Sequence, residues 1–247
     1  MARTDAIVLG AGIVGVSAAL HLAKRGLAVA LVDRRGAGEE TSYGNAGVIE
    51  GNTLFAHAFP KGFGALLRIV LKQAPEANYH LSALPDLALW LLAYRANTRG
   101  SRVLQFAEAM RPLFAHAVTE HEALMAESGA MRYLRKDGWL KLYRNDESFA
   151  ATKRERDYAT ELGLSHRELS PDETRALEPS LAPVFRHAVH WPEAASVSNP
   201  LAVTKAYASQ FTLLGGITLK GDARTLHRSG DGWRSTPRKV RSTPRLR

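Results

Sequence analysis

Four residues near the start of the chain have the types and the spacing to grip a diphosphate. Gly10, Gly12 and Gly15 fall within Gly10-Ala11-Gly12-Ile13-Val14-Gly15, and Asp33 follows 18 residues after the last of them. The first glycine permits a sharp turn, the second lets backbone N–H groups approach an anion with no Cβ in between, and the third lets a helix pack closely on a sheet. The amides of Ile13, Val14 and Gly15 then face a pyrophosphate at a helix N-terminus, where unpaired N–H groups and about half a unit of positive charge collect. Asp33 is placed to accept hydrogen bonds from ribose hydroxyls.

This chemistry works only if a strand, a turn, a helix and a second strand hold the four residues together. Ile7, Val8 and Leu9 form a short apolar run before the glycines, Val16 to Lys24 has helix-forming composition, and Leu27 to Val32 is a second apolar run ending at Asp33. A bare glycine motif is weak evidence, but one that follows a strand, opens a helix and is answered by an acid predicts a dinucleotide-binding βαβ unit. The same segment is not read as a secretory signal. Arg3 precedes the apolar stretch, but Asp5, the interrupting glycines and the lack of a small-residue cleavage site argue against one.

The chain has 247 residues, 45% of them hydrophobic, enough for one large domain or two small ones. With no cysteine there is no disulfide, thiolate nucleophile or thiolate metal site, which suits a reducing compartment. The net charge of +9 invites a nucleic-acid reading until it is located: Arg234 to Arg247 carries six basic residues and no acid. That stretch repeats RSTPR, has almost nothing apolar to bury and is read as a disordered tail, so no nucleic-acid partner is expected. The most apolar stretches, Phe63 to Leu71 and Leu84 to Ala93, are too short to span a membrane and contain Arg68 and Asp86. Packing on a core is the stronger reading for them, with peripheral attachment to a membrane surface left open.

The stretch Glu40-Thr41-Ser42-Tyr43-Gly44-Asn45-Ala46-Gly47 is a second polar, glycine-bearing segment of the kind that shapes itself around a ligand. Thr41 and Ser42 can donate to phosphate or cap a helix. Taken together, GAGIVGVSAALHLAKRG, then VDRR, then ETSYGNAG resemble the flavin-dependent D-amino-acid dehydrogenases within the D-amino-acid oxidase and glycine oxidase family. The resemblance is close over residues 5–47, with Gly44 standing where alanine is common. It implies FAD as cofactor, with Gly10, Gly12, Ile13, Val14 and Gly15 at the pyrophosphate, Asp33 and Arg34 at the adenosine ribose, and Thr41, Ser42, Asn45, Ala46 and Gly47 along the pyrophosphate and flavin.

Further along, Lys61 to Lys72 and Leu84 to Tyr94 read as helices, and a longer one is expected from Ser101 to Ser128 with Pro112 as a kink and Gly129 as its stop. His116 and His121 are five apart and do not share a helical face, and His187 and His190 point to opposite faces of a strand, so no metal site is expected. Met131 to Arg135 and Gly138 to Tyr143 read as a hairpin turned by Lys136-Asp137-Gly138, with Trp139 and Tyr143 able to face a substrate pocket. Asp146 to Leu162 reads as one charged helix, Pro171 to Leu177 as a helix capped by Ser170, Val184 to Trp191 as a strand, Pro200 to Leu214 as a helix and Ile217 to Lys220 as a strand. Asp222 to His227 reads as a strand whose partner, beginning at Trp233, is lost to the arginine–proline repeat.

The fold class expected is α/β, with α+β character in the second domain: a Rossmann-like FAD-binding domain with a partly antiparallel substrate domain, truncated. The expected division is a first FAD-binding segment over 1–80, a substrate-domain segment with helices and a β-hairpin over 81–190, an incomplete return to the FAD-binding domain over 191–233, and the basic tail over 234–247. The chain is expected to keep about the first three-fifths of a typical family member, its tail the product of a frameshift or early stop. The resemblance implies oxidative deamination of a D-amino acid to a 2-oxo acid, with electrons passing to a quinone or carrier, or to oxygen. It implies a cytoplasmic enzyme, with peripheral contact at the inner face of the membrane left open. No catalytic residue is assigned, because the arginine and tyrosine positions of relatives lie beyond the break. Two other readings stand beside this one: an NADP-dependent dehydrogenase, suggested by Arg34-Arg35, and a truncated nucleotide-binding fragment without activity.

Overall fold

The computed structural model describes residues 3–51, 59–60, 62–73 and 79–235. The basic stretch from residue 236 onward lies outside the described residues. The chain opens with β1 (Ala6–Leu9), α1 (Ile13–Lys24) and β2 (Val29–Asp33), followed by β3 (Val48–Ile49). Three helices come next: α2 (Phe63–Val70), α3 (Leu84–Asn97) and α4 (Arg102–Glu127). Then follow β4 (Leu134–Arg135), β5 (Trp139–Tyr143), α5 (Asp146–Ala151), α6 (Lys153–Glu161), β6 (Arg167–Leu169) and α7 (Pro171–Leu177). The remaining elements are β7 (His187–Trp191), β8 (Ala195–Val197), α8 (Pro200–Leu213), β9 (Ile217–Lys220), β10 (His227–Ser229) and β11 (Gly232–Arg234).

The described residues fall into two compact units, one drawn from segments up to residue 50, 117–141 and from 190 on, the other from 51–116 and 142–189. The first unit holds the βαβ motif. Its parallel sheet has the order β1-β2-β9, with Leu9 opposite Val32 and Asp33 opposite Lys220. Strand β2 is central and its first four residues are buried, as a strand covered on both faces must be. Val29 and Leu31 point into the main core, while Ala30 and Val32 are buried outside that cluster, the period of two made visible. Val16, Ala19 and Leu20 present the buried stripe of α1 at helical spacing, and α8 contributes Val203, Tyr207 and Phe211 to the same cluster. A second small sheet, β3-β8-β4, is antiparallel throughout and belongs to the same unit.

In the second unit, Ser170 and Glu173 form a reciprocal capping box around the start of α7, and Pro171 occupies its first turn. Arg156 is 4% exposed. Its guanidinium donates to Glu168 Oε1 at 2.9 Å, to Phe149 O at 3.0 Å and to Thr152 Oγ1 at 2.7 Å, and lies 4.0 Å from the Phe149 ring centroid.

Three expectations need correction. Residues 146–162 form two helices, because Thr152 Oγ1 turns back onto Phe149 O at 3.0 Å and breaks the ladder between them. The hairpin at 131–143 does not form. Residues 131–133 are a short 3-10 turn, β4 pairs with β8, and β5 lies in the sheet β5-β7-β6. Gly138, with φ +71°, is pressed against the Trp191 carbonyl and Pro192, and His190 Nε2 donates to Asp137 O at 2.8 Å. The turn is thereby docked on the end of β7 rather than returning the chain on itself. Finally, a partner strand does form near the end: β11 pairs antiparallel with β10, Arg228 opposite Trp233, while 223–225 is a 3-10 turn instead of a strand. No helix among the described residues is long and apolar enough to cross a membrane.

Candidate nucleotide-binding site

The mouth of α1 is built by the turn leaving β1. Gly10 has φ +97°, and its N–H donates to Val32 O at 2.8 Å, tying the turn to the end of β2. A Cβ at Gly15 would overlap the Gly10 carbonyl, with Val8 3.6 Å behind, so the first turn of the helix rests directly on the strand end. The first helical rung runs from Val16 N–H to Gly12 O at 2.9 Å, which leaves the amides of Ile13, Val14 and Gly15 ahead of the ladder. No acid occupies the first turn of α1, and the Val14 side chain stands 81% exposed.

Two side chains grip this turn, one at the Ala11 amide and one at the Ile13 amide. Asp33 accepts from Ala11 N–H through Oδ2 at 2.6 Å and from Arg35 N–H through Oδ1 at 2.8 Å. Its carboxylate therefore faces the glycine turn, and each oxygen keeps a second lone pair for a ligand hydroxyl. Ser42, 5% exposed, accepts from Ile13 N–H at 2.9 Å and supplies the helix cap that Gly12 cannot.

The 41–47 segment is held by its own short-range bonds. Asn45 Oδ1 accepts from Gly47 N–H at 2.8 Å and its Nδ2 donates to Thr41 O at 3.2 Å. Gly47, with φ +68°, accepts from Val197 N–H at 2.7 Å so closely that a Cβ would overlap the Val197 carbonyl. Thr41 and Ala46 are exposed. Arg34 lies on an exposed turn, its Nε and Nη2 on Glu40 Oε1 at 3.0 and 2.9 Å, and Arg35 Nε reaches the same oxygen at 2.9 Å.

Ile13, Ser42, Asn45 and Gly47 line a half-open cleft of about 110 Å³, closed further by His121 and Met125 of α4 and by Val203 and Thr204 of α8. Small-molecule sites occupy roughly 300–1,000 Å³, so the cleft takes only part of a dinucleotide. Burial lowers the pKa of His121 and raises that of the Tyr207 phenol beside it. Sequence reasoning missed His121, because nothing in its helical spacing points to a loop some 75 residues earlier. It also missed that Asp33 clamps the turn. Among the described residues no group of three or more His, Cys, Asp or Glu could hold a metal ion.

Donors at the helix mouth, a carboxylate on one flank and a glycine that tolerates no Cβ suit the diphosphate and ribose of FAD. Comparison with known proteins agrees. Residues 5–244 match the family described as FAD dependent oxidoreductase (DAO). The chain is 33% identical over 177 residues to D-amino acid dehydrogenase 2 of Ralstonia nicotianae, covering 71% of this chain and 42% of that protein. It is 27% identical over 227 residues to a D-amino-acid oxidase of Bradyrhizobium diazoefficiens, covering 91% and 54%. The chain thus spans about half the length of the curated relatives it matches. Its fold is similar to that of glycine oxidase from Geobacillus kaustophilus, with a TM-score of 0.61 at 20% identity over 95% of this chain and 51% of that one. A helix mouth gripped by Asp33 and Ser42, and a family match running from Asp5 almost to the last residue, lead to one assignment: the chain belongs to the DAO family of FAD-dependent oxidoreductases.

Proposed function

We propose that this chain holds FAD in a flavoprotein that oxidises D-amino acids to 2-oxo acids. The observation that carries the reading is the Asp33 carboxylate facing the Ala11 amide across the glycine turn, with the uncapped amides of Val14 and Gly15 beside it. Those amides bind the diphosphate, Asp33 accepts from the adenosine ribose, and Asn45, Ala46 and Gly47 lie along the flavin half with Thr41 and Ser42 at the phosphates. In this reading the cofactor-holding part is drawn from 1–50, 117–141 and the residues from 190 on, so that the C-terminal half of α4, expected in the substrate segment, stands at the cofactor cleft. FAD supplies the two-electron acceptor that turns an amino acid into an imine, which water hydrolyses to the 2-oxo acid and ammonia. What the protein adds is orientation and exclusion of water. In this reading the electrons pass on to a quinone or carrier, or to oxygen.

An NADP reading finds no support in the arginines that suggested it. Arg34 and Arg35 share Glu40, and Asp33 would repel a 2′-phosphate. The test is to purify the chain, record its flavin absorption and mix it anaerobically with D-alanine and L-alanine in turn. Bleaching by the D-enantiomer alone supports the proposal; a chain that binds NADP in preference to FAD overturns it.

A further inference from the structure

One polar side chain in the cleft has no part in gripping the diphosphate or the adenosine ribose. His121 Nδ1 lies 3.0 Å from Tyr207 Oη, and the same Oη donates to the His121 backbone carbonyl at 3.1 Å, the two rings 24° from parallel. A phenol has one proton. Both contacts are hydrogen bonds at once only when Tyr207 gives its proton to the carbonyl and accepts from His121 Nδ1–H, which makes the imidazole the Nδ1–H tautomer. Its Nε2 is then an unprotonated acceptor, and among the described residues nothing donates to it. Burial of both groups keeps the pair uncharged near neutral pH.

Position decides what Nε2 can meet. Asp33 grips the turn through Ala11, Ser42 grips it through Ile13, and the cleft opens beside Ser42 with Ile13 in its wall. A dinucleotide whose diphosphate sits on α1 and whose adenosine lies toward Asp33 must send its other half toward the cleft. We infer that His121 is a positioning residue whose Nε2 accepts a hydrogen bond from a hydroxyl or N–H of the flavin-bearing half of FAD, the half beyond the diphosphate. The inference rests on the FAD reading above and adds which residue fixes the course of the ligand past the helix mouth. The partner must be a donor, since Nε2 has no proton to give.

The test compares FAD with ADP, which shares the adenosine diphosphate and lacks the rest. Binding of FAD is followed by quenching of flavin fluorescence and of ADP by calorimetry, using the whole chain. His121→Phe is expected to weaken FAD about tenfold, the loss of one hydrogen bond, and to leave ADP within twofold. Tyr207→Phe frees the tautomer and is expected to weaken FAD about threefold, again without touching ADP. His121→Gln, whose amide oxygen can reach the Nε2 position, restores most of the affinity, which a ring needed only for packing would not allow. Nitrogen-15 shifts of His121 read the tautomer directly. An Nε2–H tautomer, unchanged FAD affinity in His121→Phe, or equal weakening of FAD and ADP each overturns the inference and leaves the dinucleotide site standing. An unaltered chain that binds ADP but not FAD overturns both.

Discussion

Asp33→Asn isolates the residue on which the site turns, because the amide is nearly isosteric with the carboxylate and differs in charge and in one donor. In the folded chain both carboxylate oxygens accept backbone N–H groups, Ala11 at 2.6 Å and Arg35 at 2.8 Å. An asparagine can serve only one of them, and its amide nitrogen is driven against the other N–H, donor to donor. Hydrogen bonds to a charged acceptor contribute about 1.5–3 kcal/mol and neutral ones about 1, so one is lost and the other weakened, with an amide left unpaired. The expected loss is about 2–3 kcal/mol, and for a chain of this length each kcal/mol lowers the melting temperature by roughly 2–4 °C. Thermal unfolding followed by circular dichroism should therefore show a drop of about 5–10 °C. Amide exchange at Ala11 should accelerate by at least tenfold, since it reads the clamp locally. FAD titration should show a weakening of tenfold or more from loss of the ribose contact. A variant that melts within a degree of the parent, protects Ala11 equally and binds FAD as tightly would refute the clamp and with it the nucleotide reading.

Gly15→Ala drives a methyl into the Gly10 carbonyl and should cost about 1–3 kcal/mol in chemical denaturation along with most FAD affinity. Gly44→Ala, where a Cβ meets open space at φ +71°, should cost only about 1 kcal/mol of backbone strain. Arg156→Ala, in the second unit, removes three hydrogen bonds and a ring contact and should destabilise that unit by about 3 kcal/mol in urea unfolding, with lysine unable to rescue because it lacks the planar fork. The Glu173 carboxyl is held below its ordinary 4.5, first by the Ser170 backbone N–H and then by the Ser170 hydroxyl. Its pKa is depressed in the folded state, so the stability it gives α7 is present above about pH 4.5 and fades as pH falls through the folded value. Exchange rates in α7 measured from pH 6 to pH 3 should rise with acid in the parent and be flat in Glu173→Gln.

Local chemistry was legible wherever one residue type forces one geometry. Gly15, Asp33 and Pro171 each announce a turn, a strand end or a helix start without help from distant parts of the chain, and β9 and α7 begin and end where the sequence suggests. The pairing of strands was not legible, because it is decided by what lies beneath the turn. Lys136-Asp137-Gly138 has hairpin composition, yet His190 and Trp191, some 50 residues later, capture it and send β4 and β5 to different sheets. The break at Thr152 escaped for a similar reason, since a threonine hydroxyl that turns back on its own helix looks no different in sequence from one that faces water. At the site, Ser42 was visible as a possible cap, whereas His121 and Thr204 reach the same cleft only because α4 and α8 pack beside α1.

Under the FAD reading the Ser42 hydroxyl does more than cap the helix. Having accepted the Ile13 amide, it still owns a proton, and nothing prevents that proton from being offered to a phosphate oxygen arriving at the same spot. Amide, hydroxyl and phosphate then form a relay in which each link polarises the next, so that a seated ligand tightens the helix start and a firm helix start holds the ligand longer. Replacing that single oxygen by carbon would uncouple loop from helix, and the chain would lose the means by which its two polar segments sense one occupant together.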